Sequence, residues 1–312
     1  MIIRELEKRD GPEVLKFLLS EFPEEEAILG TRPEGFADVL RRAFRWDARL
    51  VLGFLRLVGR PIIVFYIAEE DARVVGTTAL SFQGPTGYLS MVVVDPAYRR
   101  RGFAQALLER SRSMSARLGK RYVALDVLAK NAPARALYER AGYRSLRVQS
   151  FLVHDDASAF PKLPPPPELR PFRPSDAKPL AEIARRANPA EVERVLPTDD
   201  RMIRGSRFAS SVMAAETATW VVDRGQGPEA WIRAVVSRAT EAGHLAAPIV
   251  GEGVAPDLAL ALVSTAGAWC ANRGIRRLAC QVPEENRRGR AALEGGGFHE
   301  AFQSYTLYRP VA

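Results

Sequence analysis

Cysteine is nearly absent from the 312-residue chain: Cys270 and Cys280 are the only two, without the second pair or nearby histidines that a zinc site needs. A disulfide scaffold is excluded, and both thiols are expected to be buried and reduced. Histidine is equally scarce; His154, His244 and His299 lack ligand spacing, so no metal is expected and none is given a role. Also missing is any run approaching the roughly 20 apolar residues that span a bilayer. The opening MIIRELEKRD is charged where a secretory signal needs an apolar stretch. No membrane partner is expected, and a cytoplasmic location is.

An apolar fraction of 47% and a charged fraction of 26% are those of an ordinary globular protein. At 312 residues the chain exceeds what one hydrophobic core usually serves, so two domains are expected. The formal net charge is +8, with arginine pairs at 41/42, 185/186, 276/277 and 287/288. These basic residues are scattered and no nucleic-acid motif accompanies them, so RNA or DNA is not the expected partner. An acidic cofactor explains part of the charge better.

Residues 160–167, Phe-Pro-Lys-Leu-Pro-Pro-Pro-Pro, can continue neither a helix nor a ladder. They divide a first domain, 1–158, from a second, 168–312, with 159–167 as linker. Both domains open alike: IRELEKRDGPEVLKFL from Ile3 aligns with LRPFRPSDAKPLAEIA from Leu169, pairing Arg4 with Arg170 and Asp10 with Asp176. Further on, NAPARALYERAGY from Asn131 aligns with NRRGRAALEGGGF from Asn286, and the same offset pairs Leu107 with Leu262, Gly119 with Gly274 and Val127 with Val282. A duplication is the economical explanation.

In the first repeat Asp10 is expected to cap a helix, and Pro33 to about Val58 has helical periodicity. PIIVFYIAEE, RVVGTTALSF and GYLSMVVV are β-branched or aromatic runs separated by turn-forming residues, which predicts an antiparallel meander. A helix over Gly102–Leu118, a strand over Tyr122–Leu128, a helix capped by Asn131 and ended by Gly142, and a strand over Val148–His154 follow.

The segment VVVDPAYRRRGFA, residues 92–104, runs strand, turn, helix. Pro96 stops the strand, three arginines follow, and Gly102 with Ala104 lets the N–H groups of a helix N-terminus come close to an anion. A pyrophosphate would fit. A basic run alone is usually a solvated turn. The Arg-x-x-Gly-x-Ala spacing between a strand and an amphipathic helix, with an Asn-capped helix one strand later, favours the phosphate site.

Through VVVDPAYRRRGFAQALL and LDVLAKNAPARALYERAGY, the first repeat resembles the GNAT superfamily of N-acetyltransferases over about residues 1–154. The resemblance implies an α+β fold of the three-layer α/β kind: two tandem GNAT-like domains, each a mixed, mostly antiparallel sheet flanked by helices. It implies acetyl-CoA (coenzyme A) as acyl donor. Val92, Val93 and Val94, on a strand splayed from its neighbour, would pair with pantetheine and polarise the thioester. Arg99, Arg100, Arg101, Gly102, Phe103 and Ala104 would wrap the pyrophosphate, Ala104 standing where glycine is commoner. Asn131 would hydrogen-bond the pantetheine arm. Tyr138 holds the place of the family's usual acid, and Asp126 that of a glutamate in ribosomal-protein N-acetyltransferases.

Acetyl transfer needs a neutral amine, a stabilised oxyanion and a proton for the departing thiolate. Tyr138, two helical turns beyond Asn131, can supply that proton or can simply pack its helix. Tyr143 is expected to be structural. Asp126 can be the base, directly or through a water, or a solvent-facing carboxylate. Glu24, Glu25 and Glu26 are further acidic candidates, in a charge run of a kind usually just solvated. The apolar stretch Leu50–Val58 fits a wall of the acceptor site, core, or an interface.

In the second repeat the arginine loop becomes Val254-Ala255-Pro256-Asp257-Leu258-Ala259, Asp126 becomes Gln281 and Tyr138 becomes Leu293. Phosphate loop, base and acid are lost together, and Asp257 would repel the cofactor. Trp220, Trp231 and Trp269 are expected in its core. The leading reading is an N-acetyltransferase acting on an amine of a small molecule, peptide or protein N-terminus, as a monomer or weak homodimer. The alternatives are a non-catalytic acyl-CoA-binding sensor or scaffold, and an RNA-associated acetyltransferase.

Overall fold

The computed structural model describes residues 1–14, 30, 63–160, 165–205, 215–238 and 240–312. The helix expected over Pro33–Val58, the acidic run Glu24–Glu26 and the apolar stretch Leu50–Val58 lie outside them. The chain forms two compact units: Met1–Glu24, Leu40–Leu146 and Tyr305–Ala312 make the first, and Glu25–Val39 and Arg147–Ser304 the second.

In the first unit β1 (Ile2–Glu5), β2 (Ile63–Glu70), β3 (Arg73–Gln83) and β4 (Thr86–Val94) pair antiparallel in sequence order, the meander expected from their β-branched runs. Asp71 and Ala72 both take positive φ, 50° and 59°, the conformation that lets a two-residue hairpin match strand twist. α1 (Phe103–Arg117) then carries the chain back, so β5 (Tyr122–Leu128) lies parallel to β4. Gly87 on β4 permits close packing, because a Cβ there would collide with Ser115 of α1. α2 (Ala132–Arg140) follows. The core on the α1 face includes Tyr66, Leu80, Leu107, Leu125 and Tyr138. On the opposite face Val14 packs with Ile67, Val74 and Val93.

Asp10 stands just before a helix whose described residues are 11–14. Its carboxylate accepts from both terminal nitrogens of Arg4, at 2.7 and 2.9 Å, and from the N–H of Glu7 at 2.7 Å. Those bonds, chiefly to Arg4, hold its pKa below the usual carboxylate range. Arg170 and Asp176 reproduce the arrangement at 2.8 and 2.9 Å, with the N–H of Arg173 in the place of Glu7. A second carboxylate completes each cluster, Glu69 in one and Asp223 in the other. The duplication thus extends to a polar triad.

The second unit is built on β6 (Arg144–His154, from Arg147 onward), β7 (Leu169–Pro171), β8 (Ala215–Asp223), β9 (Pro228–Ser237), β10 (Gly243–Leu245), β11 (Ile249–Val250) and β12 (Leu278–Pro283). The spatial order is β6-β12-β10-β9-β8-β7, with β11 beside β9. α3 (Ala177–Ala187), α4 (Ala190–Val195) and α5 (Asp200–Arg204) come between β7 and β8. α6 (Pro256–Ala271) precedes β12 and α7 (Arg287–Gly295) follows it. Alternate residues of β9 divide the core: Ala230, Ile232 and Ala234 meet α6, while Trp231 meets Leu180 and Ile203 on the other face. Trp220 and Trp269 pack against the α6 cluster, and Cys270 and Cys280 are buried and unpaired. Burial pushes the Cys270 thiol up to about 12 and that of Cys280 upward too.

The last strand, β13 (His299–Pro310), is divided at Ser304. His299–Ser304 lies with β6 in the second unit: Phe151 stacks on Phe302 at 4.6 Å, and Ser150 donates to Glu300 at 2.6 Å. Tyr305–Pro310 lies beside β5 in the first, where Val311 N–H donates to the carbonyl of Arg121 at 2.9 Å and Leu307, Tyr308 and Val311 are buried. The contact-defined units therefore differ from the linear segments 1–158 and 168–312 in their closing strands. Both strands are alternating, β-branched or aromatic sequences, and that pattern leaves open which sheet they enter.

Candidate acetyl-CoA site

β4 and β5 pair from Thr86/Tyr122 to Leu89/Leu125, and their ladder extends no further although the strands continue to Val94 and Leu128. A bulge explains the parting. Between Thr77↔Val93 and Ala79↔Ser90 one residue of β3 faces two of β4, and Met91 takes φ 54°. An extra residue bends its strand, here just where β4 leaves its parallel neighbour. Val92, Val93 and Val94 lie on the diverging arm; Asp126 is the first residue of β5 beyond the last paired position.

After the arm, Asp95 accepts from the N–H of Ala97 at 2.8 Å, fixing a single helical turn over Pro96–Tyr98. Arg99 Nε donates to the Val94 carbonyl at 3.0 Å. Arg101 pairs with Glu70 at 2.8 Å and lies over the rings of Tyr98 and Phe103. Arg100 (φ 65°) and Gly102 (φ 87°) are both left-handed, and the chain enters α1 with Gly102 as an N-cap that has no side-chain hydrogen bond. A Cβ on Gly102 would have nothing within 4 Å. An N-terminus without a side-chain acceptor, beside open space and a basic loop, fits an anionic group. Phe103 is buried and anchors the helix; Ala104 is half-buried.

Asn131 caps α2, its side-chain oxygen accepting from the N–H of Ala134 at 3.2 Å. Tyr138 is buried on α2 with its ring edge-on to Tyr143, centroids 5.9 Å apart. Burial raises its pKa to about 12, and that of Tyr143 also upward. Asp126 accepts a 2.6 Å hydrogen bond from the hydroxyl of Thr306 in β13. Thr306 and Glu70 are the neighbours that sequence reasoning missed. Glu70 sits in an acidic pair with no motif, and Thr306 is 180 positions from its partner.

The corresponding place in the second unit is closed by the chain itself. Asn286, the counterpart of Asn131, caps α7 through Gly289 N–H at 3.1 Å and donates its amide to the carbonyl of Pro248 at 2.8 Å. Pro248 stands at the position of Val93, and a Cβ on Gly289 would collide with the same carbonyl. Asp257 lies in the first turn of α6, and Leu293 is fully buried.

The model of the acetyltransferase (GNAT) family matches residues 20–143. An uncharacterized N-acetyltransferase of Methanocaldococcus jannaschii is 30% identical over 125 residues, 39% of this chain and 78% of that one. The chain belongs to the GNAT acetyltransferase family. Members of that family use acetyl-CoA. A mycothiol acetyltransferase of Clavibacter michiganensis is 35% identical over 88 residues, 28% of this chain but 29% of its own length. Among solved structures, a tandem GNAT protein from the clavulanic acid biosynthesis pathway superposes with TM-score 0.57 at 15% identity, over 80% of this chain and 83% of that one. A GCN5-related N-acetyltransferase of Sphaerobacter thermophilus gives 0.60 at 18%, over 99% and 95%. Both likenesses are of the fold, and the first is to a tandem GNAT protein. Among the described residues no helix is long and apolar enough to cross a membrane, and no group of three or more His, Cys, Asp or Glu could hold a metal ion.

Proposed function

We propose that the chain is an acetyl-CoA-dependent N-acetyltransferase, cytoplasmic, with one cofactor site in its first repeat (1–158) and a second repeat (168–312) that has lost its own. The parting of β4 from β5, immediately upstream of the uncapped N-terminus of α1, carries this reading. Acetyl-CoA supplies an activated acetyl thioester. The chain's contribution is to bind and orient it. Backbone groups of Val92, Val93 and Val94 hold the pantetheine arm, with the Asn131 amide nitrogen, whose oxygen is committed to the cap, as a further donor. The N–H groups of Gly102, Phe103 and Ala104 face the pyrophosphate, with Arg99, Arg100 and Arg101 supplying positive charge.

Tyr138 keeps its proton through the physiological range because burial raises its pKa to about 12. An ordinary thiol titrates near 8.5. Tyr138 therefore presents its O–H to the departing sulfur as a hydrogen-bond donor before any full transfer. Asp126 takes a proton from the acceptor's ammonium, directly or through a water, and leaves the neutral amine that attacks the thioester carbonyl. The acceptor is an amine on a small molecule, peptide or protein N-terminus.

The test is acetyl-CoA calorimetry on Gly102→Ala and Gly102→Glu. Both suffer the same left-handed strain, of about 1–2 kcal/mol, whereas only glutamate sets bulk and negative charge against the phosphates. The alanine variant should bind within about tenfold of wild type and the glutamate variant should not bind. Equal affinity in the two would put the phosphates elsewhere. Release of free thiol with any member of an amine panel then separates an enzyme from an acyl-CoA sensor.

A further inference from the structure

We infer that Thr306 is a positioning residue for Asp126, contributed to the first repeat's site by the final strand of the second. The inference rests on the assignment of Asp126 as base and adds to it the group that holds its carboxylate. Asp126 begins the part of β5 that has left the β4 ladder. A short carboxylate has several rotamers, and a fixed hydrogen-bond donor is what selects one of them.

Thr306 fills that role from the opposite side of β5. It is fully buried, and its strand is fixed around it. Leu307 packs into the first unit's core, Tyr308 is buried edge-on to Tyr122 with centroids 5.9 Å apart, Arg309 donates to the carbonyl of Ala141 at 2.7 Å, and Tyr305 stacks under Arg135 at 4.5 Å. A β-branched side chain on a packed strand is stiff at χ1, so the hydrogen bond from its hydroxyl to Asp126 Oδ1 at 2.6 Å holds the carboxylate. Carboxylates in this geometry take the short, charge-assisted form of the bond. The second repeat offers a contrast: Gln281, at the position of Asp126, pairs with Ser304 at 3.3 Å, a contact with no charge.

The test compares Thr306→Val, which keeps shape and removes the donor, with Thr306→Ser, which keeps the donor. Turnover is followed by thiol release with the best acceptor from a panel of a polyamine, an aminoglycoside and an alanyl-leading tripeptide, alongside acetyl-CoA calorimetry. Thr306→Val should lower kcat about tenfold with acetyl-CoA affinity unchanged, Thr306→Ser should recover most of it, and Thr306→Val should cost nothing further in an Asp126→Asn background.

If Thr306→Val matches wild type while Asp126→Asn is impaired, the positioning role fails and the base assignment stands. If Asp126→Asn is itself as active as wild type, the base assignment fails and the inference falls with it. An equal loss from Thr306→Val in both backgrounds, or a loss shared by Thr306→Ser, would make the residue structural and overturn the inference. So would wild-type protein that turns over no member of the panel.

Discussion

Leu307→Ala, a change near the end of the chain, should destabilise the fold around residues 63–128 rather than the sequence around itself. Leu307 is 5% exposed and belongs to the cluster of Tyr66, Leu80, Leu107 and Leu125. Truncating a buried leucine to alanine costs about 2–5 kcal/mol, and a site held by surrounding strands collapses little, so about 3 kcal/mol is expected. That is a large share of the roughly 5–15 kcal/mol that keeps a domain folded. Hydrogen exchange by mass spectrometry resolves the effect segment by segment. Amides of β2, β3 and α1 that exchange through unfolding of the first unit should speed up roughly a hundredfold, since each 1.4 kcal/mol is a factor of ten. Peptides from β8, β9 and α6 should be unchanged. Faster exchange confined to the second unit's peptides would refute the placement of Tyr305–Ala312 and with it the exchange of closing strands.

Three further outcomes are expected. Tyr138→Phe should reduce turnover by about two orders of magnitude while acetyl-CoA affinity stays within about twofold, because only the hydroxyl is lost; loss of rate and affinity in proportion would reduce Tyr138 to packing. Titration should give one acetyl-CoA per chain, and Asp257→Gly should leave that number at one, since Asn286 still bridges to Pro248; two bound molecules would mean that the second groove opens. Urea unfolding followed through alkaline pH should show stability falling between about pH 10 and 12, because native Tyr138 keeps its proton up to about 12 whereas an unfolded tyrosine releases it near 10. The contribution is fully present below pH 10, amounts to about 3 kcal/mol for Tyr138, and should shrink in Tyr138→Phe; a flat profile would mean that the phenol is not buried.

The features legible in the sequence are those that local chemistry dictates. Pro96 had to stop β4, Gly102 had to take a left-handed turn before α1, and Asn131 had to cap α2, so the strand, loop and helix were read nearly to the residue. Asp10 and Asp176 align between the repeats, yet the alignment alone does not show that Arg4 and Arg170 hold them in bidentate ion pairs while the N–H groups of Glu7 and Arg173 bond the same carboxylates. The bulge at Met91 left no trace, since methionine is no favoured left-handed residue and tertiary context imposes that φ. Thr306 was hidden for a further reason. The period-2 pattern of a strand fixes which side chains share a face, and the identity of the neighbouring strand is decided by long-range packing.

The divided course of β13 also sets a timetable for synthesis. A ribosome releases a chain from its N-terminus, and a first domain ordinarily folds while the second is still being made. Here the strand that completes the first unit is translated roughly 160 positions after that unit's main segment ends at Leu146, or on the order of 10–30 s later at typical elongation rates. Through that interval the free edge of β5 and the pocket for Leu307 wait unfilled, and Asp126 waits for Thr306. A chain whose translation stops before Tyr305 holds the entire Arg99–Ala104 loop and still lacks the strand beside β5, so a finished candidate site reports that the ribosome has passed β13.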